Sequence, residues 1–404
     1  MNMKLSEELI WRGFFAEHTL KDPKELDKKS RKFYLGVDPS ADSLQIGNLA
    51  ALMMVRCFAR HGYEAFLLVG GATGQIGDPK MSEERQLKSL EEVVRNKKII
   101  SRQFKMVAGA DFTLVDNYDW FKNINYIEFL REVGKQFSMT QLLDREFVKS
   151  RIGEGGVGIS YAEFSYSLIQ GYDFLHLFRN YGVDLQICGV DQFGNCVSGM
   201  HLIDRLAGEK ADVWSLPLVI DKITGKKFGK SEGNAVWLAA EKTSVFDFYQ
   251  FWLNAADKNV EQFIKIYTEL DKKTVDEILA DFAKNPSART AQKRLAYEVT
   301  KIVHGQKLAD NVVKITTLLF GGGKVQDLNQ DELNQLALTI PTARIGESLI
   351  DILMESGLTG SKTEVRQQLA SGTISVNGKK INKDCPIDDL SLIKKGKNKF
   401  ILVK

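Results

Sequence analysis

The chain has 404 residues, of which 44% are hydrophobic and 26% are charged, a composition typical of folded proteins with two or three domains. It excludes a disordered, collagen-like or disulfide-dense chain. No apolar run approaches the roughly 18 residues that a membrane span needs, and the first 20 residues lack a signal pattern. We therefore expect a cytoplasmic enzyme with no membrane association. The four scattered cysteines form no Cys-x-x-Cys pair and predict neither a disulfide framework nor a metal site.

The charge of the chain is unevenly distributed. Residues 361–404 contain ten Lys and Arg against four Asp and Glu, a net charge of +6, so that the total of +3 leaves −3 for the first 360 residues. Binding to the phosphates of a nucleic acid requires a localised positive surface of this kind. A solvated basic surface without a partner is the alternative.

The first half alternates apolar runs with helical patterns, which predicts a parallel sheet wrapped by helices. The predicted elements are, in chain order, strands 33–37, 65–69, 112–115, 185–190 and 218–220 and helices 48–60 and 163–180. Helical patterns alone occupy residues 244–319, and the three glycines of 321–323 then predict a hinge. A short helical stretch leads from the hinge to the basic C-terminal module.

Polar segments follow the first two predicted strands, at the edge where open parallel sheets bind ligands. The first runs from Tyr34 to Pro39 and continues through Gln45-Ile46-Gly47-Asn48 into a helix. The free backbone amides of that helix can hold a phosphate, although a plain helix cap has the same residues. The second, residues 70–77, has the glycine spacing of a dinucleotide fingerprint. It follows the second strand and is interrupted by Asp78-Pro79, which argues against a nicotinamide-dependent reductase. A tight turn or an anionic site at Asp78 for an ammonium group remains.

The predicted helix 163–180 carries Tyr166, Gln170 and Asp173 on one face. These residues indicate the polar wall of a pocket, or alternatively a stripe that faces solvent. The following strand delivers further polar groups to the same sheet edge, namely Gln186, Gly189, Asp191 and Gln192.

A lysine-rich loop, residues 226–231, follows the last predicted strand. It ends in Gly-Lys-Ser like a phosphate-binding P-loop, but Gly225 stands one place too close for that motif. The loop suits the growing negative charge on a leaving polyphosphate. A hairpin with solvated lysines is the alternative.

In order and spacing, these segments together resemble the bacterial type of tyrosyl-tRNA synthetase, a class I aminoacyl-tRNA synthetase. Residues 45–48 occupy the place of that family's His-Ile-Gly-His signature, and residues 227–231 resemble its Lys-Met-Ser-Lys-Ser loop. Residues 361–381 resemble a small RNA-binding module first described in a ribosomal protein. The resemblance implies an α/β fold with four parts: a Rossmann-like parallel-sheet catalytic domain (1–243), an α-helical domain (244–322), a linker (323–344) and a small α+β RNA-binding module (345–404).

The same resemblance implies a tyrosine–tRNA ligase, which forms tyrosyl-adenylate and pyrophosphate from L-tyrosine and ATP and passes tyrosine to the 3′-terminal ribose of tRNA(Tyr). The residues it implies for tyrosine are Tyr34, Thr73, Asp78, Tyr166, Gln170, Asp173 and Gln186. Those for ATP are Gly36, Asp38, Gly47, Asn48, Gly189, Asp191, Lys230 and Ser231. The catalytic set is Gln45, Asn48, Arg85, Gln192, Lys227 and Lys230, and the RNA-binding set is Arg366, Lys379 and Lys380.

The resemblance further implies Mg²⁺ bound through the ATP phosphates, with no protein metal site, and a homodimer. The chain departs from the family because both signature histidines are replaced, by Gln45 and Asn48. Their amides donate hydrogen bonds but cannot become cationic. A protein that kept the fold and RNA binding but lost catalysis is the alternative that this departure supports, whereas Lys227, Lys230 and Asp191 argue for catalysis.

Overall fold

The computed structural model describes residues 3–79, 86–143, 146–153, 156–227 and 235–404. The chain divides into two compact units: Met1–Ala239 with Ala256–Ala291, and Ala240–Ala255 with Gln292–Lys404. Within the described ranges, no helix combines the length and the apolar character needed to cross a bilayer.

A five-stranded sheet forms the centre of the first unit. Its strands are β1 (Lys32–Val37), β2 (Glu64–Val69), β3 (Phe112–Asp116), β4 (Leu185–Gly189) and β5 (Asp212–Leu216). All neighbouring strands are parallel, and their order is β3-β2-β1-β4-β5. The predicted Rossmann-like α/β fold is therefore confirmed, and the strand order changes direction between β1 and β4.

The helices of the first unit flank this sheet and extend beyond it. They are α1 (Leu5–Arg12), α2 (Ile46–Arg60), α3 (Thr73–Ile76), α4 (Leu90–Val107), α5 (Tyr118–Phe121), α6 (Tyr126–Glu132), α7 (Met139–Leu143), α8 (Glu146–Ile152), α9 (Tyr161–Tyr181), α10 (Phe193–Ala207), α12 (Asp257–Tyr267) and α13 (Lys272–Lys284). A buried apolar cluster centred on α9, α10, β1 and β4 forms part of the core and includes Phe174, Leu177, Leu202 and Val213.

Local sequence signals explain where the two helices nearest the sheet edge begin and end. The side chain of Ser160 accepts a hydrogen bond from the backbone of Glu163 and starts α9, and Gly182 ends it in the left-handed conformation. Helix α2 starts after Gln45, where the backbone N–H of Gln45 donates to Asn48 Oδ1 at 3.1 Å. Both helices agree with the predicted ones to within two residues.

The prediction of a strand at 218–220 is wrong. The structure instead forms β5 at Asp212–Leu216, and Ile220 makes only an isolated bridge to Lys227. The strand stops before Pro217 because proline has no backbone N–H to donate to a neighbouring strand.

The second unit combines helices with a mixed sheet. The helices are α11 (Val245–Leu253), α14 (Thr290–His304), α15 (Gln306–Gly321), α16 (Gln330–Ala337), α17 (Leu349–Glu355) and α18 (Lys362–Ala370). The strands are β6 (Thr342–Ala343), β7 (Ile374–Val376), β8 (Lys379–Lys380), β9 (Ser391–Lys395) and β10 (Lys399–Val403), in the order β6-β10-β9-β7-β8. The predicted helical stretch and the small α+β module at the C-terminal end are both confirmed.

Two apolar clusters hold this second unit together. One lies inside the C-terminal module and includes Leu353, Val365 and Ile401. The other joins Ile315 and neighbouring apolar residues of α15 to Phe400 and other apolar residues of β9 and β10. Strands β9 and β10 therefore share a core with α15.

Candidate active site

A cavity of about 910 Å³ opens at the carboxyl ends of β1 and β4, which are neighbours at the point where the strand order changes direction. Ligands of open α/β sheets bind at such a switch point. The cavity brings together most of the residues expected to bind or react: Tyr34, Gly36, Asp38, Gln45, Gly47, Asn48, Thr73, Asp78, Tyr166, Gln170, Asp173, Gln186, Gly189, Asp191, Gln192 and Lys227.

The remaining predicted residues fall into two groups. Arg85, Lys230 and Ser231 lie outside the described residues. Arg366, Lys379 and Lys380 are exposed side chains of the C-terminal module, in the second unit.

We call the buried part of the cavity around Tyr34 and Asp173 the inner end. Tyr34 is 1% exposed and Asp173 is 2% exposed. The carboxylate of Asp173 accepts hydrogen bonds from Trp120 Nε1 at 2.9 Å and from Asn117 Nδ2 at 3.0 Å. Within the described part of the chain, the hydroxyl of Tyr34 has no hydrogen-bond partner. A buried hydroxyl left in this state inside a cavity indicates that a ligand completes its hydrogen bonding.

Burial controls the ionisation of both groups at the inner end. It raises the pKa of Asp173 well above its ordinary value, whereas the hydrogen bonds from Asn117 and Trp120 act in the opposite direction and favour the ionised carboxylate. Burial likewise raises the pKa of Tyr34, and the charge of Asp173 contributes to that increase. The inner end therefore presents the neutral hydroxyl of Tyr34 and the carboxyl group of Asp173, whose pKa is raised by burial; together they suit a ligand that carries a hydroxyl of its own.

Asn117 and Trp120 are functional residues that the sequence analysis missed. Asn117 is completely buried and holds several groups in place: it donates to Asp173 and to Thr73 Oγ1, and its Oδ1 accepts from the backbone of Ala72 at 2.7 Å. One signal could have found it, since Asn117 directly follows β3 and so lies at the same sheet edge as the other polar segments. Trp120 stacks on His176, with 4.3 Å between ring centroids, and has no comparable sequence signal.

Asp38 links the first and second polar segments. Its carboxylate accepts from Thr73 Oγ1 at 2.6 Å and from the hydroxyl of Tyr166 at 2.8 Å. This arrangement explains a glycine of the predicted loop, because a Cβ at Gly70 would lie only 2.1 Å from an oxygen of Asp38 and 2.2 Å from Thr73 Oγ1. The glycines therefore allow close side-chain approach, which favours a packed binding loop over a plain turn.

A second carboxylate, Asp78, lies within an amide network. Gln192 Nε2 donates to Asp78 Oδ2 at 2.8 Å. Asn195 Nδ2 lies 3.5 Å from Asp78 Oδ1 and 3.2 Å from Gln192 Oε1. Gln192 was predicted to act on the reacting groups, and the structure shows that it also orients Asp78.

Two glutamine side chains add further acceptors to the cavity. Gln170 comes from α9 and Gln186 from β4, and both line the cavity. The Oε1 atoms of both are buried and, among the described residues, have no hydrogen-bond partner. Buried polar atoms in proteins are nearly always paired, so these oxygens, like the hydroxyl of Tyr34, are suited to a ligand that donates hydrogen bonds.

We call the more exposed part of the cavity, around Gln45, Asn48, Asp191 and Lys227, the outer end. The N-terminus of α2 lies here, and a Cβ added at Gly47 would meet only open space, so a ligand can approach the backbone amides. Lys227 Nζ pairs with Asp191 Oδ2 at 3.3 Å, and their side chains are 38% and 49% exposed. This end therefore combines solvent-exposed charge with backbone donors, which suits a polyphosphate.

Comparison with known proteins identifies the family of the chain. Residues 26–321 match the sequence profile described as tRNA synthetases class I (W and Y). Residues 332–403 match the tyrosine–tRNA ligase SYY-like C-terminal domain. The fold and the cavity at the switch point of the sheet thus define a class I aminoacyl-tRNA synthetase.

Individual relatives narrow the assignment. A tyrosine–tRNA ligase of Streptococcus agalactiae is 41% identical over 99% of both chains, and one of Latilactobacillus sakei is 38% identical over the full length of both. The crystal structure of a C-terminally truncated mitochondrial tyrosyl-tRNA synthetase of Aspergillus nidulans is similar with a TM-score of 0.71 and 28% identity, and the match covers 79% of this chain and 95% of that one. The chain belongs to the tyrosine–tRNA ligase family.

Proposed function

We propose that this chain activates L-tyrosine with ATP, forming tyrosyl-adenylate and pyrophosphate, and then transfers tyrosine to the 3′-terminal ribose of tRNA(Tyr). Membership of the tyrosine–tRNA ligase family supports the reaction. One structural observation supports the choice of amino acid: Tyr34, Gln170 and Gln186, which line the cavity together with Asp173, carry buried polar atoms that have no partner among the residues that the structure describes. A tyrosine molecule has a polar group at each end of its ring and could satisfy these atoms.

The inner end binds the side chain of tyrosine. The phenol hydroxyl donates to the carboxylate of Asp173 and accepts from the hydroxyl of Tyr34. Phenylalanine would leave the buried hydroxyl of Tyr34 without a partner and would bring no donor to the carboxylate of Asp173, and an unpaired buried polar group costs its full desolvation; tyrosyl-tRNA synthetases are the standard illustration of this kind of selectivity. Asn117 and Trp120 keep Asp173 in position because they occupy both of its oxygens.

The ammonium group of tyrosine binds between Asp78, Tyr166 and Gln170, with Thr73 and Gln186 nearby. An ammonium group can only donate hydrogen bonds. The carboxylate of Asp78 and the Oε1 of Gln170, which has no partner in the described part of the chain, supply the acceptors it needs. The hydroxyl of Tyr166 donates to Asp38, so its oxygen can accept a hydrogen bond from the ammonium.

ATP binds at the outer end, and Asp191 accepts from a ribose hydroxyl. The residues that we assign to ATP are Gly36, Asp38, Gly47, Asn48, Gly189, Asp191, Lys230 and Ser231. In the first step a carboxylate oxygen of tyrosine attacks the α-phosphorus, the bond to the bridging oxygen breaks, and pyrophosphate leaves. In the second, a ribose hydroxyl of tRNA attacks the carbonyl carbon of the adenylate, and AMP leaves. Neither step needs a nucleophile from the protein.

Positioning and electrostatic stabilisation therefore carry the rate. The side chains that we assign to the transition state are Gln45, Asn48, Arg85, Gln192, Lys227 and Lys230. Three carboxylates of the cavity already have partners in the protein: Asp38 and Asp78 accept from neutral donors, and Asp191 pairs with Lys227. These residues therefore fit Mg²⁺ that arrives with ATP and is held by the phosphates. Bound through the phosphates, Mg²⁺ would neutralise part of their charge.

We place tRNA recognition on the basic C-terminal module (345–404). The exposed side chains of this module, Arg366, Lys379 and Lys380, are suited to phosphate contacts. Upstream of the module we place the catalytic domain (1–243), the helical domain (244–322) and the linker (323–344). We place the reaction in the cytoplasm, where ATP and tRNA are available.

We also propose a homodimer. Large apolar side chains are exposed over residues 126–161, including Tyr126 at 58%, Ile127 at 60% and Tyr161 at 61%. The hydroxyls of Tyr126 and Tyr161 are 3.3 Å apart, so these residues form one surface. An apolar surface of this kind is typical of a protein interface, and a second copy of the chain is the partner that the family suggests.

Two assays on the full-length protein test the proposed function. Tyrosine-dependent exchange of radioactive pyrophosphate into ATP measures the first step, and attachment of labelled tyrosine to tRNA measures both. We expect activity in both assays. Binding of tRNA without any exchange would identify the chain as an RNA-binding protein that has lost catalysis, and would overturn the proposal.

A further inference from the structure

Two buried thiols lie beside the proposed tyrosine site. Cys188, on β4, is 4% exposed and lines the cavity, and Cys196, in the first turn of α10, is 1% exposed. Both are free thiols. Neither has a role in the mechanism given above.

Cys196 contacts one of the residues proposed to bind the ammonium group. Gln170 Nε2 donates to Cys196 Sγ over 3.7 Å, a normal length for a hydrogen bond to sulfur. The other end of the same amide, Oε1, is buried and, within the described ranges, has no partner. The sulfur atom thus occupies the donor end of the amide and leaves the acceptor end for a ligand.

The orientation of this amide decides whether an ammonium group can bind. An amide offers an oxygen that accepts and a nitrogen that donates, and the two differ by a half-turn of the side chain. With the oxygen towards the cavity, Gln170 can accept from an ammonium group. With the nitrogen towards the cavity, the N–H groups of Gln170 would face the N–H groups of the ammonium group, and the ligand would bind more weakly.

We propose that Cys196 is a positioning residue: its sulfur accepts from Gln170 Nε2 and so holds Gln170 Oε1 towards the ammonium group of tyrosine. This inference rests on the proposed function, since it assumes that Gln170 binds that group. The sulfur serves as an acceptor only, so the role requires a hydrogen-bond acceptor at position 196 and no chemical reactivity of the thiol.

Replacement of the sulfur by groups of similar size tests the proposal. Cys196→Val removes the acceptor, and we expect the KM for tyrosine in pyrophosphate exchange to rise about tenfold, the effect of one hydrogen bond. The kcat and the KM for ATP should stay within about twofold of the wild-type values. Cys196→Ser keeps an acceptor and should stay close to wild type. Cys57→Val, at a buried thiol of α2 away from the cavity, is the matched control and should leave all three parameters unchanged.

A double-mutant cycle with Gln170→Glu separates positioning from packing. A carboxylate has an acceptor at both oxygens and needs no fixed orientation, so Cys196→Val should raise the KM for tyrosine only while Gln170 is present. In the Gln170→Glu background, the same substitution should change the KM by less than about twofold. Thermal unfolding of each variant shows whether it is folded.

The opposite results would overturn the inference. Equal effects of Cys196→Val in the two backgrounds would show that the thiol only fills space, and an unchanged KM in the single variant would show that it has no role. Impairment of Cys196→Ser equal to that of Cys196→Val would exclude a need for an acceptor. Failure of the wild-type protein in tyrosine-dependent exchange would overturn the proposed function itself, whereas wild-type exchange without coupling overturns only the role of Cys196.

Discussion

The two ends of the cavity are built differently. At the inner end, Tyr34 and Asp173 are almost inaccessible to solvent, and Asn117 and Trp120 occupy both oxygens of the carboxylate. At the outer end, Asp191 and its partner Lys227 are between a third and a half exposed. One end is therefore buried and held by hydrogen bonds, and the other is open to solvent and charged.

This difference predicts a division of labour. In a dry site a missing hydrogen bond leaves a buried group unpaired, so the inner end should select the amino acid. In a solvated site an ion pair contributes little to ground-state binding. The outer end should therefore act mainly when charge develops on the phosphates. Substitutions at the two ends should change different kinetic parameters.

The largest effect is expected at the inner end. Asp173→Ala removes the acceptor for the phenol hydroxyl and for the donors of Asn117 and Trp120, which should cost about 3 kcal/mol, or more than a hundredfold in kcat/KM for tyrosine. Pyrophosphate exchange measures this loss. Asp204→Ala, at an exposed position of α10, is the control. If Asp173→Ala lowered kcat/KM for tyrosine as little as Asp204→Ala does, the inner end would not select the amino acid.

The next largest effect is expected at the outer end. Lys230→Ala, in the loop that lies outside the described residues, should lower kcat by about a hundredfold through loss of charge stabilisation in the transition state. The KM for tyrosine should change much less, because the inner end is intact. Lys222→Ala, at an exposed lysine nearby in sequence, serves as the control. Equal losses in kcat and in tyrosine affinity would contradict the proposed division.

A smaller effect, confined to tRNA, is expected from the C-terminal module. Combined replacement of Arg366, Lys379 and Lys380 by alanine should raise the KM for tRNA about tenfold, with a weaker dependence on salt, because phosphate contacts are lost. Pyrophosphate exchange should be unchanged. Substitutions are preferable to truncation here, because Phe400 and other C-terminal residues share a core with α15.

The matched control for that variant removes three exposed lysines of the first unit, Lys21, Lys28 and Lys29. It has the same change in net charge, so a comparable loss of tRNA charging would show that total charge matters and that the module does not form a specific surface.

The smallest effect concerns pH and distinguishes the two ends once more. Burial raises the pKa of Asp173; as the pH falls through that raised value, the carboxyl becomes protonated, can no longer accept as an anion, and the KM for tyrosine should rise. At the outer end Gln45 and Asn48 do not titrate, so kcat should show no inflection near pH 6.5, the ordinary range of histidine. Asn48→His should introduce one. An inflection of the wild-type kcat at that pH would contradict this assignment.

The sequence was sufficient to predict four of the five strands of the parallel sheet and most of the residues that line the cavity. The helical spacing of Gln170 and Asp173 and the polar residues after β1 and β4 depend only on local periodicity and on the rule that parallel strands end at one edge. These signals need no knowledge of side-chain rotamers.

Contacts between distant segments could not be predicted in this way. The hydrogen bond from Trp120 to Asp173 requires α5 to pack against α9, and the contact of Gln192 with Asp78 joins residues 114 positions apart. The error in predicting a strand at 218–220 has a local cause. These residues form an apolar run, which is typical of a strand, but β5 ends before Pro217. Asn117 could have been predicted as a residue of the site, because it directly follows a strand that was correctly predicted.

Pyrophosphate exchange with each of the twenty amino acids in turn, at equal concentrations, tests the central claim most directly. If Tyr34 and Asp173 hydrogen-bond to the phenol hydroxyl of the substrate, we expect exchange with tyrosine and only a trace of exchange with phenylalanine. Comparable rates with these two amino acids would show that the hydroxyl is not recognised, and the account of the inner end would be wrong.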